Sequence, residues 1–222
     1  TIINLYRMWS KMINKVFISD NKDIGSKCKS WALNNLPDGF NIVDDKDECN
    51  IFLSVQYDKI LSEDFLKNRK CYNFHPNILP HYGGVGTLSF SILNGEEYAG
   101  VTLHKIDVGI DTGDIIKIDN IKIEEDETAY SLHLKTSDTM YNMFKKMFLN
   151  LLTENFKTKK QSDDNRNVYT YKQLDKLFDL SNFMRATYYP NKPTPFFYNK
   201  DGKKINLHYE EYGVKVLWVF NQ

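Results

Sequence analysis

Short apolar runs alternate with segments of helical periodicity through the first part of the chain. The apolar runs predict buried strands at residues 16–19, 40–43, 50–55, 71–75, 100–106 and 115–123. Apolar spacings of three and four predict helices at residues 2–13, 24–36, 62–67 and 87–93. This alternation predicts an α/β fold with a three-layer sheet that is mostly parallel at its start.

A long amphipathic helix is predicted from Asp126, a candidate N-cap, to Phe156. Its apolar positions form one stripe suited to packing on the sheet: Met140, Met143, Phe144, Met147, Phe148, Leu151 and Leu152. Residues 157–167 are polar and rich in lysine, and we interpret them as a linker. The chain then divides into a main domain at residues 1–156 and a small C-terminal region at residues 168–222.

The C-terminal region carries weaker signals. A short helix is predicted at residues 172–178, followed by a Pro-rich loop at residues 190–195. The last predicted element is a β-hairpin that pairs residues 204–209 with residues 214–220. An aromatic hairpin of this kind suits either a subunit interface or a flap over the core of the same chain.

Polar side chains end the predicted strand at residues 71–75. Asn73 and His75 are two residues apart, so they project from the same face of the strand and bring a donor next to a titratable group. Pro76 cannot donate to a sheet ladder, so the strand stops there. A loop with two prolines and the glycine pair Gly83–Gly84 follows.

A second polar cluster lies in the segment from His104 to Ile116. Asp111 stands between Gly109 and Gly113 at the end of a predicted strand, a placement that suits a carboxylate facing a cleft. We expect Gly113 either to have a positive φ or to allow close packing behind that carboxylate. Taken singly, a strand histidine is more often a core residue and such an aspartate a turn former, but the two clusters together favour a site.

Composition and charge exclude several classes of protein. The 222 residues carry 29 basic and 29 acidic side chains, and this balance argues against a phosphate-backbone partner such as tRNA. The three cysteines are scattered without metal-ligand spacing, which indicates reduced thiols in a cytoplasmic protein. The sequence has no apolar run of about 18 residues and no signal-peptide pattern at residues 1–15.

The two clusters resemble the signature of the folate-dependent formyltransferases, an Asn-x-His-Pro strand end followed by an Asp-x-Gly loop. Within that family the chain is most similar to the sugar N-formyltransferases, which act on nucleotide-linked amino sugars. The similarity is densest over residues 50–120 and recurs at residues 185–190 and 201–205. It implies a Rossmann-like formyltransferase sheet with a small C-terminal helix and β-hairpin appendage.

The resemblance implies that Asn73, His75 and Asp111 are catalytic in formyl transfer to an amine. Asn73 would donate an N–H to the developing oxyanion, and protonated His75 would stabilise the same oxygen. Asp111 would take the proton of the attacking amine, directly or through water, and would favour the imidazolium form of His75. His104 and Gly113 would hold the loop that carries Asp111.

The resemblance also implies N10-formyltetrahydrofolate as the formyl donor and no metal. Backbone groups of two loops would read the pterin: Lys59, Ile60 and Leu61 in one, and Ile106, Asp107, Val108, Gly109 and Asp111 in the other. The acceptor would be a dTDP-linked 4-amino-4,6-dideoxyglucose or its 3-amino isomer, used for surface polysaccharide such as the O-antigen of lipopolysaccharide. Its candidate contacts are Gln56, Tyr57, Phe90 and Tyr189, and a homodimer is expected.

Other readings stay open at this point. Methionyl-tRNA and glycinamide ribonucleotide formyltransferases and formyltetrahydrofolate hydrolases are related enzymes, and a binding protein without turnover is a further alternative. The family's sheet opens with a strand that precedes one like residues 16–19. That opening strand is therefore either absent from this chain or replaced by another segment.

Overall fold

A computed structural model describes residues 13–162, 164, 166–170, 173, 185–187 and 189–190, and the backbone of 196–198 and 204–206. Its strands are β1 (Asn14–Ile18), β2 (Phe40–Ile42), β3 (Ile51–Val55), β4 (Lys70–His75), β5 (Gly83–Gly84), β6 (Tyr98–Lys105), β7 (Ile115–Lys122), β8 (Val168–Tyr169), β9 (Phe196–Tyr198) and β10 (Lys204–Asn206). Its helices are α1 (Asp23–Leu33), α2 (Glu63–Leu66), α3 (Thr87–Leu93) and α4 (Ala129–Thr153).

Six strands form the central sheet in the order β2-β1-β3-β4-β6-β7. The first four pair in parallel, and β6 and β7 add to the β4 edge in antiparallel pairings. This arrangement confirms the predicted sheet, which is parallel at first. Helix α1 connects β1 to β2 and helix α2 connects β3 to β4, and because β3 and β4 pair in parallel, their carboxyl ends lie side by side.

The two faces of the sheet carry different cores because side chains alternate along each strand. Ile51, Leu53 and Val55 of β3 join the larger cluster, which packs against α1 and α4. Phe52 and Cys71 join a smaller cluster that contains Phe65 of the short helix α2. This second face is less covered by helices, and Asn73 and His75 belong to it by alternation from Cys71.

Helix α4 begins two residues later and ends three residues earlier than predicted. Its N-cap is Thr128, whose side chain accepts from the Ser131 N–H while the Ser131 side chain accepts from the Thr128 N–H. This reciprocal capping replaces the predicted cap at Asp126. The helix ends at Thr153 because Glu154 adopts the left-handed conformation, with φ of 54°.

The structure bears out one strand of the predicted C-terminal hairpin and leaves its pairing with residues 214–220 a prediction. Residues Lys204–Asn206 form β10, and within the described residues β10 pairs in antiparallel fashion with Phe196–Tyr198. The predicted second strand at 214–220 lies outside the described residues, as do the N-terminal helix at 2–12 and most of the helix at 172–178. In the described part of the chain, no helix is both long and apolar enough to cross a membrane.

Candidate active site

Strand register places three polar side chains in one row across the sheet. Ser54 of β3 pairs with Asn73 of β4, and Asn73 pairs with His104 of β6. The Ser54 hydroxyl donates to Asn73 Oδ1 at 2.6 Å, and Asn73 Nδ2 lies 3.1 Å from His104 Nε2. The pairing of β6 with β7 shifts register between Leu103 and His104, a bulge of the kind that re-aims side chains beside functional sites. The row therefore fixes the Asn73 carboxamide from both sides.

His104 is the acceptor in its contact with Asn73. Its Nδ1 lies 2.6 Å from the backbone oxygen of Lys105, which can only accept, so Nδ1 carries the hydrogen. Nε2 is then free of hydrogen and accepts from the Asn73 amide. His104 thus supports the Asn73 carboxamide, and its expected role in holding the Asp111 loop stays a prediction.

His75 is the last residue of β4, and it is almost fully buried. Its Nε2 donates to the backbone oxygen of Tyr82 at 2.6 Å, in the loop that the two prolines and the glycine pair form. Its Nδ1 lies 3.4 Å from Asp111 Oδ2. The Tyr82 contact shows that Nε2 carries a hydrogen, and Nδ1 is the nitrogen that faces the carboxylate.

Asp111 lies in the loop between β6 and β7, and its carboxylate meets four partners. Oδ1 accepts from Asn73 Nδ2 at 3.3 Å and lies 3.5 Å from His104 Nε2. Oδ2 accepts from the Gly84 N–H at 2.8 Å, in addition to its contact with His75. The side chain is 14% exposed, compared with 3% for His75. Asp111 therefore meets Asn73 and His75 at one point, although it lies 38 residues beyond Asn73 in sequence.

Neighbouring polar groups move the pKa of Asp111 downward, and burial moves the pKa of His75 downward. Burial acts to raise the pKa of Asp111, but His75, His104 and the Gly84 N–H outweigh it and hold that pKa well below its usual range. Burial lowers the pKa of His75, and the nearby Asp111 carboxylate opposes this shift only in part. The imidazolium expected at His75 stays a prediction, since burial and the Asp111 carboxylate act on the pKa of that histidine in opposite directions.

Two glycines let the loops around Asp111 pack closely. A Cβ at Gly113 would lie 1.9 Å from the backbone oxygen of Lys105, and Gly113 is not among the residues with positive φ. The close-packing alternative for Gly113 is thereby confirmed. Gly84 has φ of 90°, and a Cβ there would lie 2.3 Å from the backbone oxygen of Tyr169.

The segment that follows α4 packs against the loop that carries Asp111. The Gln161 side chain donates to the backbone oxygens of Asp111 and Gly113, and Arg166 donates to that of Ile110. Further on, β8 pairs in parallel with β5, so that Tyr169 lies beside Gly84. Residues predicted as a linker thus contact the catalytic region; the division into domains stays a prediction.

A cavity of about 1130 Å³ opens in front of the three side chains. Asn73, His75 and His104 line it, together with all of the residues predicted for the folate loops: Lys59, Ile60, Leu61, Ile106, Asp107, Val108, Gly109 and Asp111. Gln56, Tyr57 and Tyr189 of the predicted acceptor contacts also line it. The structure therefore gathers the predicted residues around one space.

Phe90 does not line this cavity. It is buried on α3 and stacks on Tyr169, with ring centroids 4.3 Å apart. Tyr169 and His133 line the cavity instead, and neither was predicted as an acceptor contact. Tyr169 reaches the cavity only because β8 pairs with β5, a contact that no local pattern indicates.

No set of side chains suited to a metal ion occurs within the described ranges. Groups of three or more histidine, cysteine, aspartate or glutamate side chains with that capacity are absent there. The three cysteines are buried as free thiols.

Comparison with known sequences identifies the core of the chain. Residues 41–148 match the model of the formyl transferase family. Methionyl-tRNA formyltransferase of Clostridium tetani is 35% identical over 117 residues, covering 52% of this chain and 38% of that protein. The enzyme of the same name from Sulfurimonas denitrificans is 32% identical over 172 residues, covering 74% and 56%. The chain thus spans between two fifths and just over half of these curated relatives.

Comparison with solved structures extends the similarity over most of the chain. A 4-N formyltransferase from Francisella tularensis has a TM-score of 0.76 at 18% identity, covering 93% of this chain and 100% of that one. The N-formyltransferase from Helicobacter canadensis, solved with folinic acid and dTDP-3-aminofucose, gives 0.67 at 24%, covering 79% and 80%. WlaRD, a sugar 3-N-formyltransferase solved in the presence of dTDP and 5-N-formyltetrahydrofolate, gives 0.70 at 25%, covering 94% and 91%.

The family match spans the strand that carries Asn73 and His75 and the loop that carries Asp111. The structural matches extend the same α/β sheet beyond it. By its matched core at residues 41–148 and by its fold, the chain is similar to the formyl transferase family and resembles the folate-dependent sugar N-formyltransferases.

Proposed function

We propose that this protein transfers the formyl group of N10-formyltetrahydrofolate to the amino group of a nucleotide-linked amino-deoxysugar. The observation that carries the proposal is the convergence of Asn73, His75 and Asp111 at the wall of the large cavity. Its volume of about 1130 Å³ exceeds the roughly 300–1,000 Å³ of ordinary ligand pockets, which suits two substrates bound side by side.

In the first step, the neutral amine attacks the formyl carbon and negative charge develops on the formyl oxygen. Asn73 directs its amide hydrogens at His104 Nε2 and Asp111 Oδ1, and the contact with Asp111 is the longer, at 3.3 Å. The amide hydrogen that contacts Asp111 turns to the formyl oxygen when substrate binds. A single donor of this kind is worth about 10²–10³ in rate.

The proton lost by the attacking nitrogen goes to the Asp111 carboxylate. Its lowered pKa keeps Asp111 ionised, and Nδ1 of His75 lies 3.4 Å from Oδ2. The bond between the formyl carbon and N10 then breaks, and the proton returns to N10 of the departing tetrahydrofolate. Proton transfer by a positioned side chain contributes about 10²–10⁴.

The folate occupies the part of the cavity between the loops at 57–61 and 106–111. Ile60 and Val108 are 88% and 74% exposed, and both line the cavity, so their side chains offer apolar contact to a flat ring. Backbone groups of the same loops are available to read the polar edge of the pterin. This assignment of the donor and its two loops is the one expected from the sequence.

The acceptor occupies the opposite part, near α3, α4 and β8. Tyr169, His133 and Tyr189 line the cavity there, and the His133 and Tyr189 ring centroids lie 6.4 Å apart. Aromatic faces of this kind suit a nucleotide base or a sugar ring. Gln56 and Tyr57 stay proposed contacts from the side of β3.

We further propose that the product is used in surface polysaccharide synthesis. We also propose that the protein forms a homodimer, with the β9–β10 hairpin as a candidate interface.

Formylation of methionyl-tRNA is the second candidate. It is favoured by the curated relatives, which are methionyl-tRNA formyltransferases at 32–35% identity. The sugar reading is preferred because the sugar 3-N-formyltransferase WlaRD matches at 25% identity over 94% of this chain and 91% of its own, and because the net charge of this chain is zero.

The test mixes the purified protein with N10-formyltetrahydrofolate and one acceptor at a time, and follows tetrahydrofolate release and the mass of the product. The acceptors are the 4-amino and 3-amino dideoxysugars linked to dTDP or UDP, glycinamide ribonucleotide and charged initiator tRNA. dTDP-glucose, which lacks the amine, is the control. We expect release and a formylated product with an amino sugar alone. Release with tRNA alone supports the second candidate, and binding without release for every acceptor overturns both.

A further inference from the structure

The backbone of Asp111 is in a conformation that a non-glycine residue rarely adopts. Its φ is 53°, in the left-handed region, whereas the neighbouring glycines at 109 and 113 are not among the residues with positive φ. Side chains there cost roughly 1–2 kcal/mol relative to the right-handed region. The surroundings must therefore hold Asp111, and this conformation sets the direction of its carboxylate.

One side chain from the segment after α4 clamps this loop. Gln161 Nε2 donates to the backbone oxygen of Asp111 at 2.9 Å and to that of Gly113 at 2.7 Å. Both amide hydrogens of Gln161 are used, and they bridge the two carbonyls on either side of Thr112. The clamp thus spans the point at which the chain reverses.

The same segment holds both loops that meet at the carboxylate. Arg166 donates to the Ile110 carbonyl at 2.6 Å, and Lys159 exchanges two backbone hydrogen bonds with Ile115. On the other side, Gly83 donates to the Asn167 carbonyl and Val85 to the Tyr169 carbonyl, each at 3.0 Å. These two backbone hydrogen bonds position Gly84 so that its N–H donates to Asp111 Oδ2. The position of the carboxylate is therefore set from residues 159–169.

We propose that Gln161 is a positioning residue for Asp111, holding the strained loop so that the carboxylate faces His75 and Asn73. The inference rests on the proposed formyl transfer for its kinetic consequence, but not for its geometry. Gln161 lies about 50 residues beyond Asp111 in sequence, and its role follows from the two hydrogen bonds that reach back to the loop.

The probe is Gln161→Met, which keeps the length of the side chain and removes its donors. Gln161 Oε1 is buried and has no hydrogen-bond partner within the described residues, so the change also removes an unsatisfied acceptor. The net effect on folding is expected to be small, as thermal unfolding will show. Asn155→Leu is the matched control, because Asn155 is exposed in the same segment.

We expect Gln161→Met to lower kcat up to about 10²-fold while KM for the folate changes little, since displacement of a catalytic group by about 1 Å has that effect. In an Asp111→Asn background the same change should cause no further loss, because Gln161 acts through the carboxylate. An unchanged kcat, or an equal loss in both backgrounds, overturns the proposal.

A second readout does not require turnover. Asp111 raises the pKa of His75, so a carboxylate that moves away should let that pKa fall. Histidine NMR titration should show a lower pKa for His75 in Gln161→Met and in Asp111→Asn, and no change in Asn155→Leu. If the wild type transfers no formyl group, the proposed function fails while this titration still decides the role of Gln161. An unshifted His75 in Gln161→Met contradicts the inference.

Discussion

At the scale of single residues, Asp111 combines a left-handed backbone with a buried carboxylate that has four polar partners. His75 complements it, because its hydrogen is committed to the Tyr82 carbonyl and its other nitrogen faces the carboxylate. The pair thus places an ionised carboxylate beside an imidazole nitrogen. Such a pair can take a proton at neutral pH without first losing one.

The pH dependence of formyl transfer follows from this pair. Because burial lowers the pKa of His75, the imidazole stays neutral somewhat below its ordinary pKa of about 6.5. We expect kcat/KM to be flat above that pH and to fall only at lower pH, as a proton occupies the accepting site. Rates measured across about pH 5–8 test this. A rate that rises on acidification would show that the imidazolium is the active form.

The identities of the three catalytic candidates could be predicted from sequence, but their protonation could not. Asn73 and His75 share a strand face by alternation. Asp111 stands between glycines in the loop that precedes β7. The charge state of His75 depends on how the Tyr82 loop folds over it. That burial is a tertiary property, which no local pattern contains.

At the scale of elements, the pairing of β5 with β8 links the segment after α4 to the active site. The two-residue strands place Gly84 beside Tyr169, and the Gly84 N–H then points to Asp111. The sequence indicated only an adaptable glycine pair in this loop. Its partner lies more than 80 residues away, so the pairing could not be found from spacing.

Gly84→Ala tests this element. A Cβ there would collide with the Tyr169 carbonyl, so we expect the β5–β8 pairing to open and turnover to fall at least about 10-fold as Asp111 loses a donor. Gly95→Ala is the matched control: φ is 67°, and no atom lies within 4 Å of its Cβ position. Gly95→Ala should cost roughly 1–2 kcal/mol of stability and leave kcat unchanged. Equal losses of turnover in both variants would count against the pairing.

The start of α4 gives a second prediction at this scale. Thr128→Ala removes the side-chain acceptor of the Ser131 N–H and should lower the free energy of unfolding by about 1 kcal/mol, measured in urea. Asp126→Ala, at the exposed residue that the sequence suggested, should change it little. If Asp126→Ala costs more than Thr128→Ala, the assigned cap is wrong. Sequence favoured Asp126 because either residue can cap, and only the fold selects between them.

At the scale of the whole molecule, the site is assembled from β3, β4, the loop before β7 and the segment after α4. The sheet order could be expected from the alternation of apolar runs, since short strands with helical connections pair in parallel. The closure of the site by residues beyond α4 could not be expected from the sequence, because their lysine-rich composition is typical of a solvated connection.

Global stability should depend on pH through the buried histidines. Burial lowers the pKa of His75 and of His133 in the folded state, so below about pH 6.5 the unfolded chain binds protons that the folded chain does not. The free energy of unfolding should therefore decrease with falling pH, by up to about 1.4 kcal/mol per unit for His75 and less for His133, which is only half-buried. Urea titrations between about pH 7.5 and 5.5 measure this slope.

His133→Asn serves as the comparison for that experiment. It should flatten the slope slightly, because it removes the smaller of the two contributions. A free energy of unfolding that rises on acidification would contradict the neutral state assigned to these histidines.

The most direct test of the whole account is the rate of formyl transfer by wild type and by Asp111→Asn with a dTDP-linked amino sugar. Asp138→Asn, on the exposed side of α4, is the control for loss of a carboxylate. We predict that Asp111→Asn loses about 10²–10⁴ in kcat with its fold intact, while Asp138→Asn matches the wild type. Transfer by Asp111→Asn at close to the wild-type rate would contradict the account.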